Sequence, residues 1–185
     1  MGRLIQWNLM TLDGYFDGAK NWELDWHMYV WGEELERISV EQLRCAGMLL
    51  FGRVTHDGMA AYWKTATGEI ADYMNRLPKA VVSDTLQQSD WNNTRVIRTN
   101  ASDEVAKLKR EITGDIFVFG SGKLSATLTA AGLFDEFRIA IVPVILGRGT
   151  SLFGRDLPRL RLRLLESRPL NSGAVILRYA QQGKA

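Results

Sequence analysis

The sequence predicts an α/β domain with a mostly parallel mixed sheet that ends in an antiparallel C-terminal hairpin. Short apolar runs of strand character, among them Leu4 to Met10, Met48 to Phe51 and Ile116 to Phe119, alternate with segments of helical spacing as far as Ala131. Beyond that point only strand patterns follow, which places the antiparallel part of the sheet at the end. The 185 residues, 46% hydrophobic and 24% charged, suit one core, so 1–185 is expected to be a single domain.

The elements follow in order. Leu4 to Met10 forms the first strand, ended by the turn pair Asp13-Gly14. Residues 15 to 31 are aromatic and irregular, with Trp22, Trp26 and Trp31 among acids. Glu33 to Arg44 carries Leu35, Ile38 and Leu43 at helical spacing. Met48 to Phe51 closes in Gly52-Arg53, and a helix then runs through Met59 to Trp63. A shorter helix bears Ile70, Tyr73, Met74 and Leu77, and Ala80 to Val82 and Arg95 to Ile97 are strands. Ser102 is the expected N-cap of a helix with Val105, Leu108 and Ile112. Ile116 to Phe119 is a strand, and Gly120-Ser121-Gly122 opens a helix to Ala131 that Gly132 stops. Phe137 to Ile145 is a long strand ended by Gly147-Arg148-Gly149. Leu160 to Leu165 and Ala174 to Tyr179 form the hairpin, turning at Asn171-Ser172-Gly173.

Composition excludes several functions. A net charge of +2, with Lys and Arg spread along the chain, argues against nucleic acid. The locally basic stretch Arg155 to Arg168 alternates Arg159, Arg161 and Arg163 with leucines, the pattern of a strand with one solvated face. The single cysteine, Cys45, admits no internal disulfide and no cysteine-rich zinc site, and its apolar setting predicts an inert, half-buried thiol. No metal site is expected. Neither a signal peptide nor a membrane span is visible, so the protein is expected in the cytoplasm.

The chemistry lies in two glycine-containing strand-to-helix turns. In Phe51-Gly52-Arg53-Val54-Thr55, free N–H groups at the helix start suit a phosphate, with Arg53 and Thr55 as added donors. In Phe119-Gly120-Ser121-Gly122-Lys123, missing side chains let a pyrophosphate approach the backbone beside Lys123. On parallel strands of one sheet, the pair points to a bridging dinucleotide. Neither common nucleotide motif fits. A P-loop needs Gly where Phe117 stands, and Ser or Thr where Leu124 stands; a Rossmann fingerprint needs Gly at Ser125.

Four segments together resemble a known family. They are Met10-Thr11-Leu12-Asp13-Gly14-Tyr15-Phe16, Leu50-Phe51-Gly52-Arg53-Val54-Thr55, Phe117-Val118-Phe119-Gly120-Ser121-Gly122-Lys123-Leu124 and Val144-Ile145-Leu146-Gly147-Arg148-Gly149-Thr150. Over essentially the whole chain they look like the dihydrofolate-reductase-like family, in the branch of the reductase domain of the riboflavin-biosynthesis deaminase-reductase. The resemblance implies a three-layer sandwich that binds NADPH. It implies Gly52, Arg53 and Thr55 at the cofactor's phosphates, Gly120, Ser121, Gly122, Lys123 and Leu124 around the pyrophosphate, and Ser83 at the adenosine 2′-phosphate. It also implies reduction of a pterin-like or 5-amino-6-ribosylaminouracil-like ring. The deaminase signature is absent, since His27, His56 and Cys45 cannot assemble it.

The substrate side is open. Asp13-Gly14 begins a loop that could cover the nicotinamide, and Trp7, Trp22 and Trp26 offer flat faces for a ring, although tryptophans serve equally as core or dimer contacts. Asp25 and Glu23 are the candidate proton donors if burial raises their pKa, against the solvated role usual for loop acids. His27 and His56 are expected to be structural. The alternative function is a non-catalytic nucleotide- or flavin-binding dimer of the same fold. In either case a homodimer is expected, with the aromatic segment as a contact.

Overall fold

A computed structural model describes residues 1–154 and 157–182. Ten strands and five helices follow one another as β1 (Leu4–Thr11), β2 (Tyr15–Asp17), α1 (Glu33–Cys45), β3 (Ala46–Gly52), α2 (Arg53–Trp63), α3 (Glu69–Arg76), β4 (Lys79–Val82), β5 (Thr94–Ile97), α4 (Ala101–Glu111), β6 (Asp115–Phe119), α5 (Gly122–Ala130), β7 (Glu136–Val142), β8 (Thr150–Ser151), β9 (Leu162–Pro169) and β10 (Val175–Gln181). A 3-10 turn spans Asp25–Tyr29. Eight strands form one sheet in the order β5-β4-β3-β6-β1-β7-β10-β9. The pairs from β5 to β7 are parallel, and β10 runs antiparallel to both β7 and β9. The expected mixed sheet and its antiparallel end are both present.

Side-chain alternation along the strands builds two cores. Ile5, Leu49, Phe51 and Phe117 face α1, α2 and α3, where Leu35, Ile38, Ala60 and Met74 complete one cluster. Leu4, Leu50, Ile116 and Val118 face α4 and α5, where Val105, Leu108, Leu124 and Leu128 complete the other. The result is a three-layer sandwich with β3 and β6, the strands that end in the two glycine turns, side by side at its centre.

Several expectations are corrected. The N-cap of α4 is Asn100, in the left-handed region at φ 51°, so Ser102 lies inside the first turn. β7 ends at Val142, before Pro143, which has no N–H for a ladder, and well short of Ile145. Cys45 is exposed on the last residue of α1. In β9, Leu162, Leu164 and Leu165 are all exposed, because this edge strand is solvated on both faces rather than one. Arg155, the start of the basic stretch, lies outside the described residues.

Candidate active site

A cleft of about 900 Å³ opens at the C-terminal ends of β1, β3, β4 and β6. Both glycine turns line it, and two crossed hydrogen bonds join them. The Gly52 N–H donates to Ser121 Oγ at 2.9 Å, and the Ser121 N–H donates to Thr55 Oγ1 at 2.9 Å. Thr55 and Ser121 therefore fix one turn to the other. Neither α2 nor α5 has a side-chain cap, so the N–H groups of both first turns face the cleft from adjacent strands. Gly120, at φ +52°, and Ser121, at φ +61°, bend the backbone into the left-handed region that brings α5 to this point.

A small flap covers the second turn. β2 pairs with β8, Tyr15 opposite Ser151, and a Cβ on Gly122 would lie 3.1 Å from the Phe16 ring. The loop after β2 is held by Asp17, whose carboxylate accepts from the N–H groups of Gly18, Trp22 and Glu23 at 2.9–3.0 Å. That loop lays the Trp22 ring flat on Gly58 of α2, 2.5 Å from where a Cβ would stand. Gly58→Ala is accordingly expected to lift Trp22 from the cleft rim, with a red-shifted tryptophan emission. Alanine favours the helix by roughly 0.5–1 kcal/mol. An unchanged or raised melting temperature in the same protein separates the local displacement from unfolding.

Below the cradle, Ser125 Oγ donates to Gln6 Oε1 at 2.6 Å and Gln6 Nε2 bonds Asn8 Oδ1, a buried polar network under Gly120. The cleft thus has one polar end made of backbone. Its other end is lined by α1, α2 and α3 and is largely apolar.

The sequence matches the RibD C-terminal domain pattern over residues 3–176. The chain belongs to the RibD C-terminal domain family. It is 32% identical over 186 residues to the uncharacterized protein YyaP of Bacillus subtilis (strain 168), covering 98% of this chain and 96% of that one. A putative riboflavin biosynthesis protein from Shewanella sp. PV-4 superposes with a TM-score of 0.81 at 20% identity, over 97% of this chain and 99% of the other. A dihydrofolate reductase from Enterococcus faecalis, complexed with NADP(H) and RAB-propyl, gives 0.66 at 13% identity, over 98% and 97%. These structural likenesses place the fold among dihydrofolate-reductase-like sandwiches.

Within this RibD C-terminal domain, the residues expected at the cofactor share one stretch of surface. Gly52, Arg53, Thr55, Ser83, Gly120, Ser121, Gly122, Lys123 and Leu124 all line the one cleft. Arg53 pairs with Asp57 at 2.8 Å one helical turn on. Ser83 holds its own turn, accepting from the Leu86 N–H at 3.0 Å. Trp7 and Trp22 also line the cleft.

The other substrate-side expectations are corrected. Asp25 and Glu23 are exposed and do not line the cleft, because the 3-10 turn buries Trp26 and leaves Asp25 outward, and Glu23 sits in the exposed loop before it. Hydrogen bonding to the Lys20 N–H lowers the Glu23 pKa, the opposite of what a proton donor needs. Trp26 is fully buried in the core, with its indole N–H on the Glu23 carbonyl at 3.1 Å. Asp13 and Gly14 stand outside the cleft. Asp13 accepts from the Gly147 N–H at 2.7 Å and from Thr11 Oγ1 at 2.6 Å, tying the β1–β2 turn to the loop after β7. The Thr11 bond is the main reason its pKa is lowered.

His56 is structural, bonded to Asp57 and Ser89 at 3.0 and 2.9 Å. His27, by contrast, lines the cleft, and its pKa is pushed down to about 4 by burial. Phe16, Asp17 and His27 are among the cleft residues that the sequence did not mark as site residues, together with Leu43, Met59, Trp63, Met74 and Asp84. Only the pair Asp17-Gly18, a turn signal, could have marked the flap.

Proposed function

We propose that this protein is an NADPH-dependent reductase of a small heterocycle. The observation that carries this reading is the pair of stitched turns, which aims two uncapped helix N-termini at one cleft between adjacent parallel strands. The residues fit a dinucleotide: the first turns of α2 and α5 both line the cleft, and among the described residues Arg53 and Lys123 are its cations. When bound, the dinucleotide supplies the hydride. The chain's own part is to hold the pyrophosphate on the α2 and α5 N–H groups, to keep water out with Phe16 and Trp22, and to seat the ring against the apolar wall. Family membership supports a riboflavin-type reductase role, and small-molecule rather than macromolecular chemistry. Among the described residues no helix is long and apolar enough to cross a membrane.

Arg53 sets the preference for NADPH in this proposal. It is the cation nearest the β3 end, and it has to outweigh the carboxylate of Asp84, just past β4, which repels a 2′-phosphate. Calorimetric titration with NADPH, NADH and FMN tests the reading. NADPH is expected to bind, and Arg53→Ala to weaken it about ten-fold more than NADH. Equal losses would remove Arg53 from the 2′-phosphate. Binding of FMN alone would favour a flavin-binding protein, and binding of none would end the reductase proposal.

A further inference from the structure

A chain of hydrogen bonds runs from the core, through the start of α2, to the cleft. Trp91, in the loop between β4 and β5, is buried against Phe51 with ring centroids 5.7 Å apart, and its indole N–H donates to Asn75 Oδ1 at 2.8 Å. Its backbone N–H donates to Ser89 Oγ at 3.0 Å. That bond leaves the Ser89 hydroxyl proton for His56 Nε2, 2.9 Å away. His56 then carries its proton on Nδ1, because the bond at one ring nitrogen sets the state of the other. Nδ1–H donates to Asp57 Oδ1 at 3.0 Å, and Asp57 Oδ2 accepts from Arg53 Nη1 at 2.8 Å.

The two ends of the chain differ in firmness. His56 is 3% exposed and lies beside the Trp91 ring at 5.9 Å, so its direction is fixed by packing as well as by its two bonds. The Asp57 and Arg53 side chains are each about half exposed, and an i,i+4 pair in that setting adds little stability. Held by such a pair alone, a long guanidinium arm would sample several rotamers. Asp57, bonded to His56 through one oxygen, presents the other in one place, and Arg53 Nη1 is drawn to it. The rest of the guanidinium fork is left for an anion in the cleft, which Arg53 lines and His56 and Asp57 do not.

We infer that His56 is a positioning residue for Arg53: through Asp57 it fixes the guanidinium that selects the 2′-phosphate of NADPH. The inference rests on the reading above that Arg53 meets that phosphate. An arm already in place loses less freedom when the phosphate arrives, so the gain is one of preorganisation. The pyrophosphate contacts do not pass through Arg53, and the effect therefore falls on the preference for NADPH over NADH.

Calorimetric titration of the full chain with NADPH and NADH reads this preference directly. His56→Gln reaches Ser89 but has no donor beside Asp57, and is expected to lower the preference about five-fold. His56→Asn places its amide where Nδ1 stands and is expected to restore most of it. With Arg53→Ala already present, His56→Gln is expected to change the preference no further, the signature of one residue acting through the other. Ser89→Ala, outside α2, removes the group that turns the imidazole and is expected to shift the preference in the same direction. It carries the test if His56→Gln does not fold. An unchanged preference in the folded variants, equal losses in His56→Gln and His56→Asn, or an additive loss beside Arg53→Ala would overturn the inference. A lower melting temperature with NADPH and NADH weakened alike would leave His56 a packing residue only, and would overturn it too. Failure of the wild-type chain to prefer NADPH, or equal losses of both dinucleotides in Arg53→Ala, would sink the Arg53 reading and this inference with it. Selectivity that needs Arg53 but not His56 would strike this inference alone.

Discussion

Replacing Gly120 by valine is expected to lower dinucleotide affinity at least a hundred-fold while the chain still folds. Gly120 sits at φ +52°, a conformation strained for a β-branched residue by roughly 1–3 kcal/mol. A Cβ there would lie 3.0 Å from Thr55 Oγ1 and 3.1 Å from Thr55 Cγ2. Thr55 is buried and accepts the Ser121 N–H, so it cannot move aside without breaking the bond that joins the turns. Relief of the clash rotates the first turn of α5 away from that of α2, and the two sets of N–H groups no longer converge. Calorimetry with NADPH reads the binding, and circular dichroism checks the fold. Wild-type affinity in the folded variant would remove the second turn from the site.

The largest effect on stability is expected at Glu136, on the opposite side of β1 from the cradle strands. Its carboxylate is almost wholly buried and accepts from Arg178 Nε at 2.6 Å, Arg138 Nε at 2.8 Å and Arg3 at 3.4 Å. Glu136→Gln keeps the shape and removes the charge, leaving Arg138 buried beside two further guanidinium groups. Breaking such a cluster costs about 3 kcal/mol, which for a chain of this size lowers Tm by roughly 6–12 °C. The same group gives a pH dependence. Burial by itself would raise its pKa, but the bonds from Arg178 and Arg138 outweigh burial and hold it below the ordinary glutamate value. A depressed folded pKa means stability that is present above the unfolded value of 4.5 and lost as pH falls through the folded one. Wild-type protein should lose stability on acidification below pH 4.5 more steeply than Glu136→Gln. Parallel curves for the two would show that Glu136 is not the group responsible.

Much of the fold was legible because it depends on local pattern. Period-2 apolar runs such as Leu4 to Met10 announced strands, and the glycines at 52, 120 and 122 announced strand-to-helix turns, of which Gly120, at φ +52°, is the one whose backbone favours glycine. The errors have physical causes too. Asn100 took the α4 N-cap through a left-handed backbone, a conformation that propensity for Ser102 does not register. The three-residue β2 and two-residue β8 were invisible because strands so short carry no period.

The candidate site divides along the same line. Sequence by itself determined the two glycine turns, because backbone turns are specified by the residues within them. Tertiary structure alone decided which aromatic and polar side chains face the cleft. Trp22 and Trp26 are four residues apart in one loop, yet Trp22 lies on Gly58 at the rim and Trp26 is in the core. Asp25 faces solvent and His27, two positions on, lines the cleft with an unpartnered nitrogen. An irregular segment has no repeat by which to assign its faces. Their directions are set by contacts with Asp17, Gly58 and the helices across the cleft, partners that only folding brings together.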